Sequence, residues 1–220
     1  MPITQYDALI FDMDGLMVDS EPVWWRVEQT FADAHGIEWS KDRARSCVGK
    51  GLEHVISTMR EQLGLTIGVE EGVRLLQRDF VARQAEIHLK PGFKELVGAA
   101  RARGMSLAVA SSSPTHLIHA VLDQVAMRHS FDILMSGVDV PAPKPAPDIF
   151  LRTAERLGAP PRQCVVLEDS IAGVRAGVAA QMRVIAVPED EPQRFARLTP
   201  HVVDNLHEAS SLLGLTDQSQ

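Results

Sequence analysis

The chain has only two cysteines in 220 residues, Cys47 and Cys164, and no C-x-x-C pair. A disulfide framework and a cysteine-rich metal site are therefore excluded, and two reduced thiols in a reducing compartment are expected. No staple is needed, because a chain of this length buries roughly 70% of its unfolded surface. No Lys/Arg run is present: 22 Lys and Arg stand against 29 Asp and Glu, a formal net charge of -7. A protein that neutralises nucleic-acid phosphates needs a basic face, so no nucleic-acid partner is expected. No apolar stretch reaches the ~18–20 residues that span a bilayer, so no membrane association is expected. The N-terminal segment lacks a basic start, and its apolar run is broken by Asp7, Asp12 and Asp14. It does not read as a signal peptide, and a cytoplasmic protein is expected. No G-x-S-x-G elbow and no G-x-x-x-x-G-K-[ST] loop occurs. Gly49-Lys50-Gly51 lacks both the third glycine and the strand that a dinucleotide loop requires. There is no internal repeat and no low-complexity segment.

What is present is an ordinary globular composition, 45% hydrophobic and 23% charged. Tyr6 to Phe11 is a short apolar run ending at Asp12 and reads as a buried strand. Three helical stretches follow with no strand between them. Their apolar positions are Val23, Val27, Phe31 and Ala34; then Leu52, Val55, Ile56, Met59 and Leu63; then Val69, Val73, Leu76, Phe80 and Ile87. From Pro91-Gly92 the texture changes to alternating helices and strands. The strands expected there are Ser106–Ala110, Ile133–Met135, Cys164–Leu167 and Val184–Val187, with Val202-Val203 as a short edge. Strands alternating with helices predict a parallel sheet covered on both faces. The expected architecture is α/β: a Rossmann-like parallel-sheet core of residues 1–16 and 91–220, with a helical-bundle cap, residues 17–90, inserted after the first strand. Thr216 to Gln220 is expected to be a loose polar tail.

Open parallel sheets bind ligands beyond the carboxyl ends of their strands. The residues just past those ends are therefore the candidates. The first strand gives Asp12-Met13-Asp14-Gly15, and the second gives Ser111-Ser112-Ser113. Lys144 stands between prolines ahead of the Pro147 helix, and the Cys164 strand gives Glu168-Asp169-Ser170. Each piece alone also fits a turn, a helix cap or a rigid linker. Together they bring four carboxylates, a hydroxyl cluster and one lysine to one rim.

These motifs in this order resemble the haloacid dehalogenase superfamily, in its β-phosphoglucomutase-like branch with a helical cap. Leu9 to Gly15 is similar to the first motif and Ala110 to Ser113 to the second. Lys144 with Pro145, Pro147 and Asp148 is similar to the third, and Leu167 to Ser170 with Gly173 to the fourth. Phe11 to Pro22 followed by Trp24, and Ser112-Ser113-Pro114, also look like hexitol or 2-deoxyglucose-6-phosphate phosphatases.

The resemblance implies a Mg²⁺-dependent phosphatase of small sugar or sugar-alcohol phosphates. It implies Asp12 as the nucleophile that forms an aspartyl-phosphate and Asp14 as general acid and base. The implied metal ligands are Asp12, the backbone carbonyl of Asp14, and Asp169, with Glu168 nearby as an acid or through a water. Ser111, the Ser112 backbone N–H and Lys144 would bind phosphate. Glu21, Trp24, Trp25, Lys50 and His54 are the candidate substrate contacts of the cap. Gly15 to Asp19 and Lys90 to Gly92 are candidate hinges. His116, His119 and Asp123 share a helix face and read as solvated rather than as a metal site. A sugar-phosphate mutase is the alternative, but Gly49-Lys50-Gly51-Leu52-Glu53 lacks the arginine that the resembling mutases carry there. A non-enzymatic sugar-phosphate sensor is the second alternative. A monomer binding a small phosphate ester is expected.

Overall fold

The computed structural model describes residues 6–47 and 51–215. Two compact units emerge: Met1–Asp19 with His88–Gln220, and Ser20–Ile87.

The first unit is built on five strands: β1 (Ala8–Phe11), β2 (Ser106–Ser111), β3 (Ile133–Ser136), β4 (Cys164–Glu168) and β5 (Arg183–Ala186). They form one sheet in the order β3-β2-β1-β4-β5, and every neighbouring pair is parallel. This is the expected parallel sheet. β1 is central, and all four of its residues are fully buried. That is why it reads as a continuous apolar run and not as an alternating one.

The helices of the second unit come next in the chain: α1 (Glu21–Ala34), α2 (Lys41–Cys47), α3 (Leu52–Leu63) and α4 (Val69–Ala82), then a 3₁₀ turn at Gln84–Glu86. Val23, Val27 and Phe31 of α1, Val55, Ile56 and Met59 of α3, and Leu76 and Phe80 of α4 are its buried apolar stripes. A Cβ at Gly72 would lie 2.8 Å from Ile56 Cδ1, so this residue lets α4 approach α3 closely.

Five more helices cover the sheet: α5 (Phe93–Ala102), α6 (Thr115–Gln124), α7 (Asp148–Leu157), α8 (Ile171–Ala179) and, after β5, the single turn α9 (Pro192–Phe195). A last helix, α10 (Leu206–Leu212), packs on α5. On one sheet face Ala8, Ile10, Ala108, Ala110, Cys164 and Val166 pack against Ile149 and Phe150 of α7 and Val174 and Ala176 of α8. On the other, Phe11 meets Phe93 and Phe131 edge-on at centroid distances of 5.2 and 6.1 Å.

Several expectations need correction. Val202-Val203 is no strand: Val202 makes one isolated bridge to Ala186 before Asn205 caps α10. Ile87 lies outside α4, which ends at Ala82. The short α2, α9 and α10 carry no periodic signal long enough to read. Residues 17–19 and 88–90 group with the sheet unit and not with the helical one. The reason is pairing: Val18 bridges Leu89 antiparallel, Lys90 N donates to Met17 O, and Asp19 N donates to His88 O. The tail Thr216–Gln220 lies outside the described residues.

Candidate active site

The parallel register fixes where the motif residues go. Phe11 pairs with Val109 on one side and Leu167 on the other. Asp12 therefore leaves the sheet beside Glu168, and its backbone N–H still donates to Leu167 O at 3.1 Å. Ser111, the last residue of β2, pairs with Ser136, the last of β3. The carboxyl ends of four strands thus form one rim, as an open parallel sheet requires.

Lys144 is the centre of the rim. Its Nζ donates to Asp12 Oδ1 at 2.6 Å, to Glu168 Oε1 at 2.6 Å and to Ala110 O at 3.0 Å. All three ammonium protons are thereby placed. The lysine side chain is 5% exposed, that of Asp12 10% and that of Glu168 0%, so these ion pairs lie out of bulk water. Phe150 lies below, its ring centroid 5.0 Å from Nζ. Burial opposes the charge on Lys144, but Asp12 and Glu168 prevail and hold its pKa above the usual range. Burial, helped by Glu168 and Asp14, pushes Asp12 up to about 7 against the pull of Lys144. Asp169 is raised well above the carboxylate range by burial and then by Glu168 and Asp12. One buried ammonium stands among three carboxyl groups, those of Asp12 and Glu168 buried and that of Asp169 half-buried, so the site is short of positive charge.

The remaining groups frame this cluster. Gly15 has φ +84°, and a Cβ there would fall 2.2 Å from Asp169 Oδ2. Glycine is needed for the turn and for the room it leaves the carboxylate. Ser113 Oγ donates to Asp14 Oδ2 at 2.9 Å. Ser111, 1% exposed, accepts from Ser113 N through its Oγ at 3.0 Å. Ser112 is exposed at the tip. Ser136 Oγ donates to Ser113 O at 2.7 Å, and a Cβ at Gly137 would sit 3.0 Å from Ser112 Cα. Ser136 and Gly137 brace the Ser111–Ser113 loop. Sequence reading missed them, although they too stand at a strand's carboxyl end. Glu168 has both oxygens engaged, Oε1 by Lys144 and Oε2 by the N and Oγ of Ser170 at 2.9 Å each.

The helical-unit candidates are scattered. Trp24 stacks on Phe80 at 3.9 Å with an interplanar angle of 13°, and Trp25 has Lys41 Nζ 5.9 Å from its ring. Both indoles are half-buried, while Glu21 and His54 are exposed. Lys50 lies outside the described residues. The buried tryptophan is Trp39, which was not singled out; its Nε1 donates to Glu28 Oε2 at 2.7 Å. His119 and Asp123 both meet Arg128, at 3.2 and 2.9 Å. Among the described residues no three His, Cys, Asp or Glu side chains form a ready metal cluster.

The model of the haloacid dehalogenase-like hydrolase family matches residues 6–181. The chain belongs to the haloacid dehalogenase-like hydrolases. Within them, hexitol phosphatase B of Escherichia coli O157:H7 is 36% identical over 212 residues, covering 95% of this chain and 94% of its own. The crystal structure of CbbY from Rhodobacter sphaeroides in complex with phosphate matches with a TM-score of 0.84 at 28% identity, over 95% of this chain and 99% of that one. A mutant of that protein in complex with xylulose-(1,5)bisphosphate matches at 0.83 with the same identity, over 92% and 96%. No helix among the described residues of this haloacid dehalogenase-like hydrolase is long and apolar enough to cross a membrane.

Proposed function

We propose that this hydrolase is a Mg²⁺-dependent phosphatase of a small sugar or sugar-alcohol phosphate, working through an aspartyl-phosphate on Asp12. It is a phosphoric monoester hydrolase, the class to which its phosphatase relatives belong. The observation that carries the finer reading is the buried Asp12–Lys144–Glu168 bridge, with Asp14 two residues beyond Asp12.

A phosphate monoester resists attack because its own charge repels nucleophiles, so charge must be neutralised and the attacker aligned. An oxygen of Asp12 attacks phosphorus while the bond to the sugar oxygen breaks. Asp14 gives its proton to that departing oxygen. A water then attacks phosphorus in the aspartyl-phosphate, Asp14 takes the water's proton, and phosphate leaves with Asp12 restored. Lys144 holds Asp12 in place and offsets charge on the transferring group. The Ser111 hydroxyl and the Ser112 N–H donate to phosphate oxygens. Ser113 keeps the Asp14 carboxyl at the rim between its two proton transfers.

The donor set suits a hard divalent ion. Mg²⁺ commonly takes one or two carboxylates and completes its shell with water and substrate oxygens. Asp12, Asp169 and the Asp14 carbonyl would hold it, and the shortfall of positive charge among buried carboxyl groups supports the assignment. When bound there, the ion would supply electrostatic stabilisation of phosphoryl charge. Glu168, tied up by Lys144 and Ser170, serves the lysine and stands outside the direct ligands. The protein works as a cytoplasmic monomer.

The test is phosphate release from a panel of sugar and sugar-alcohol phosphates, with Mg²⁺ and with chelator, beside Asp12→Asn. Release that needs Mg²⁺ and falls by roughly 10⁴-fold or more in the variant is expected, since a lost nucleophile has no substitute. Release that survives in Asp12→Asn would overturn the covalent route. Absence of release from every member would overturn the phosphatase reading.

A further inference from the structure

Gly173 lies in the first turn of α8, and its backbone is not left-handed. Alanine is the better helix former at such a position, so helix geometry does not call for glycine. Space does. A Cβ at Gly173 would fall 1.6 Å from Glu168 Oε1, 1.9 Å from its Cδ and 2.4 Å from Oε2. The obstacle is not a loose side chain that could swing away. Glu168 is fully buried, with Oε1 on Lys144 at 2.6 Å and Oε2 on Ser170 N and Oγ at 2.9 Å. Ser170 Oγ in turn accepts from Gly173 N at 3.0 Å, so the carboxylate is seated on the same turn that capping builds. Gly177, one turn on, differs in kind: a Cβ there would meet Val184 and Val166, which is apolar packing against the sheet.

We propose that Gly173 is a positioning residue for Lys144. Its missing methyl lets the Glu168 carboxylate lie on the helix and reach the ammonium that Asp12 also holds. Gly173 acts only through Glu168 and touches neither substrate nor reacting atoms. The inference rests on the reading of Lys144 given above.

The test measures phosphate release and thermal unfolding for four proteins: the unaltered chain, Gly173→Ala, Glu168→Ala and the double variant. Gly173→Ala is expected to lower kcat at least ~10-fold and to lower Tm, whereas in the Glu168→Ala background the same change alters kcat by less than about twofold and raises Tm. The methyl then fills vacated space and favours the helix. A kcat loss of equal size in both backgrounds would make Gly173 merely structural and overturn the proposal. So would a Gly173→Ala protein with unchanged kcat and Tm. If Gly173→Ala does not fold, folding of the double variant supports the proposal and its failure overturns it. Lack of release by the unaltered chain is seen before any variant is compared. It removes the phosphatase reading and this proposal together, whereas a positive panel with an additive cycle removes this proposal alone.

Discussion

Asp12 at the sheet rim and Glu28 in the helical unit are both buried carboxyl groups pushed up to about 7. Burial is the largest cause in each, but their company differs. Asp12 is drawn down by the Lys144 ammonium and driven up by Glu168 and Asp14. Glu28 meets a single opposing influence, the hydrogen bond from Trp39. A raised pKa alone therefore does not mark a reactive group. At the rim, like charges are gathered around one cation, an arrangement that costs stability and that the proposed mechanism puts to use on a phosphate. In the helical unit, one carboxyl shares one N–H and settles a packing problem.

Removing the cation breaks this contrast most severely. Lys144→Met is expected to destabilise the protein by about 3–5 kcal/mol at pH 7 in chelator, because it strands buried carboxylates without a counter-charge. The penalty shrinks toward pH 5, as the raised Asp12 and Asp169 take up protons and need no partner. Thermal and denaturant unfolding across pH would check it. A penalty that stays constant with pH would mean that Lys144 acts by packing on Phe150, not by charge.

Asp14→Asn sharpens the same contrast from the chemical side. The amide keeps the shape and can still accept from Ser113, but it cannot carry a proton between leaving group and water. Turnover is expected to fall by ~10²–10⁴-fold with KM changed only a few-fold, the usual weight of general acid–base catalysis. Steady-state kinetics on the best panel substrate would decide. Near-normal turnover would remove Asp14 from the proton path.

Much of this was legible in the sequence because charge interrupts apolar strands so sharply. An apolar run ending in Asp12, and another ending in Glu168-Asp169, give both strand and rim at once. Strand order was not legible, since it depends on which faces pair in space. Nor was the Lys144–Glu168 bridge, which joins side chains 24 residues apart. Ser136-Gly137 went unread because β3 is only four residues long and its end carries no charge. In the helical unit, adjacent Trp24 and Trp25 drew notice as a pair, while the buried Trp39 stands in a polar stretch outside any helix. Its importance comes from Glu28, 11 residues away on α1.

The Glu28–Trp39 pair allows the quietest test of the comparison. Below 4.5, the ordinary value for Glu28, folded and unfolded chains both hold the proton. Between 4.5 and about 7 the unfolded chain releases it while the folded one keeps it, so stability falls as pH rises; above about 7 both are ionised and the loss levels off. Glu28→Gln does not titrate, and its side-chain oxygen can still accept from Trp39. The variant should therefore match the parent near pH 4.5 and exceed it by roughly 3 kcal/mol at pH 8, since each tenfold difference in proton affinity between folded and unfolded chains is worth about 1.4 kcal/mol. Phosphate release should stay within about twofold, as for a residue away from the chemistry. Paired unfolding curves at the two pH values would read the gap directly. A gap independent of pH would show that Glu28 stays ionised in the folded protein and finds compensation beyond Trp39. A large fall in turnover would carry Glu28 across to the same side of the comparison as Asp12.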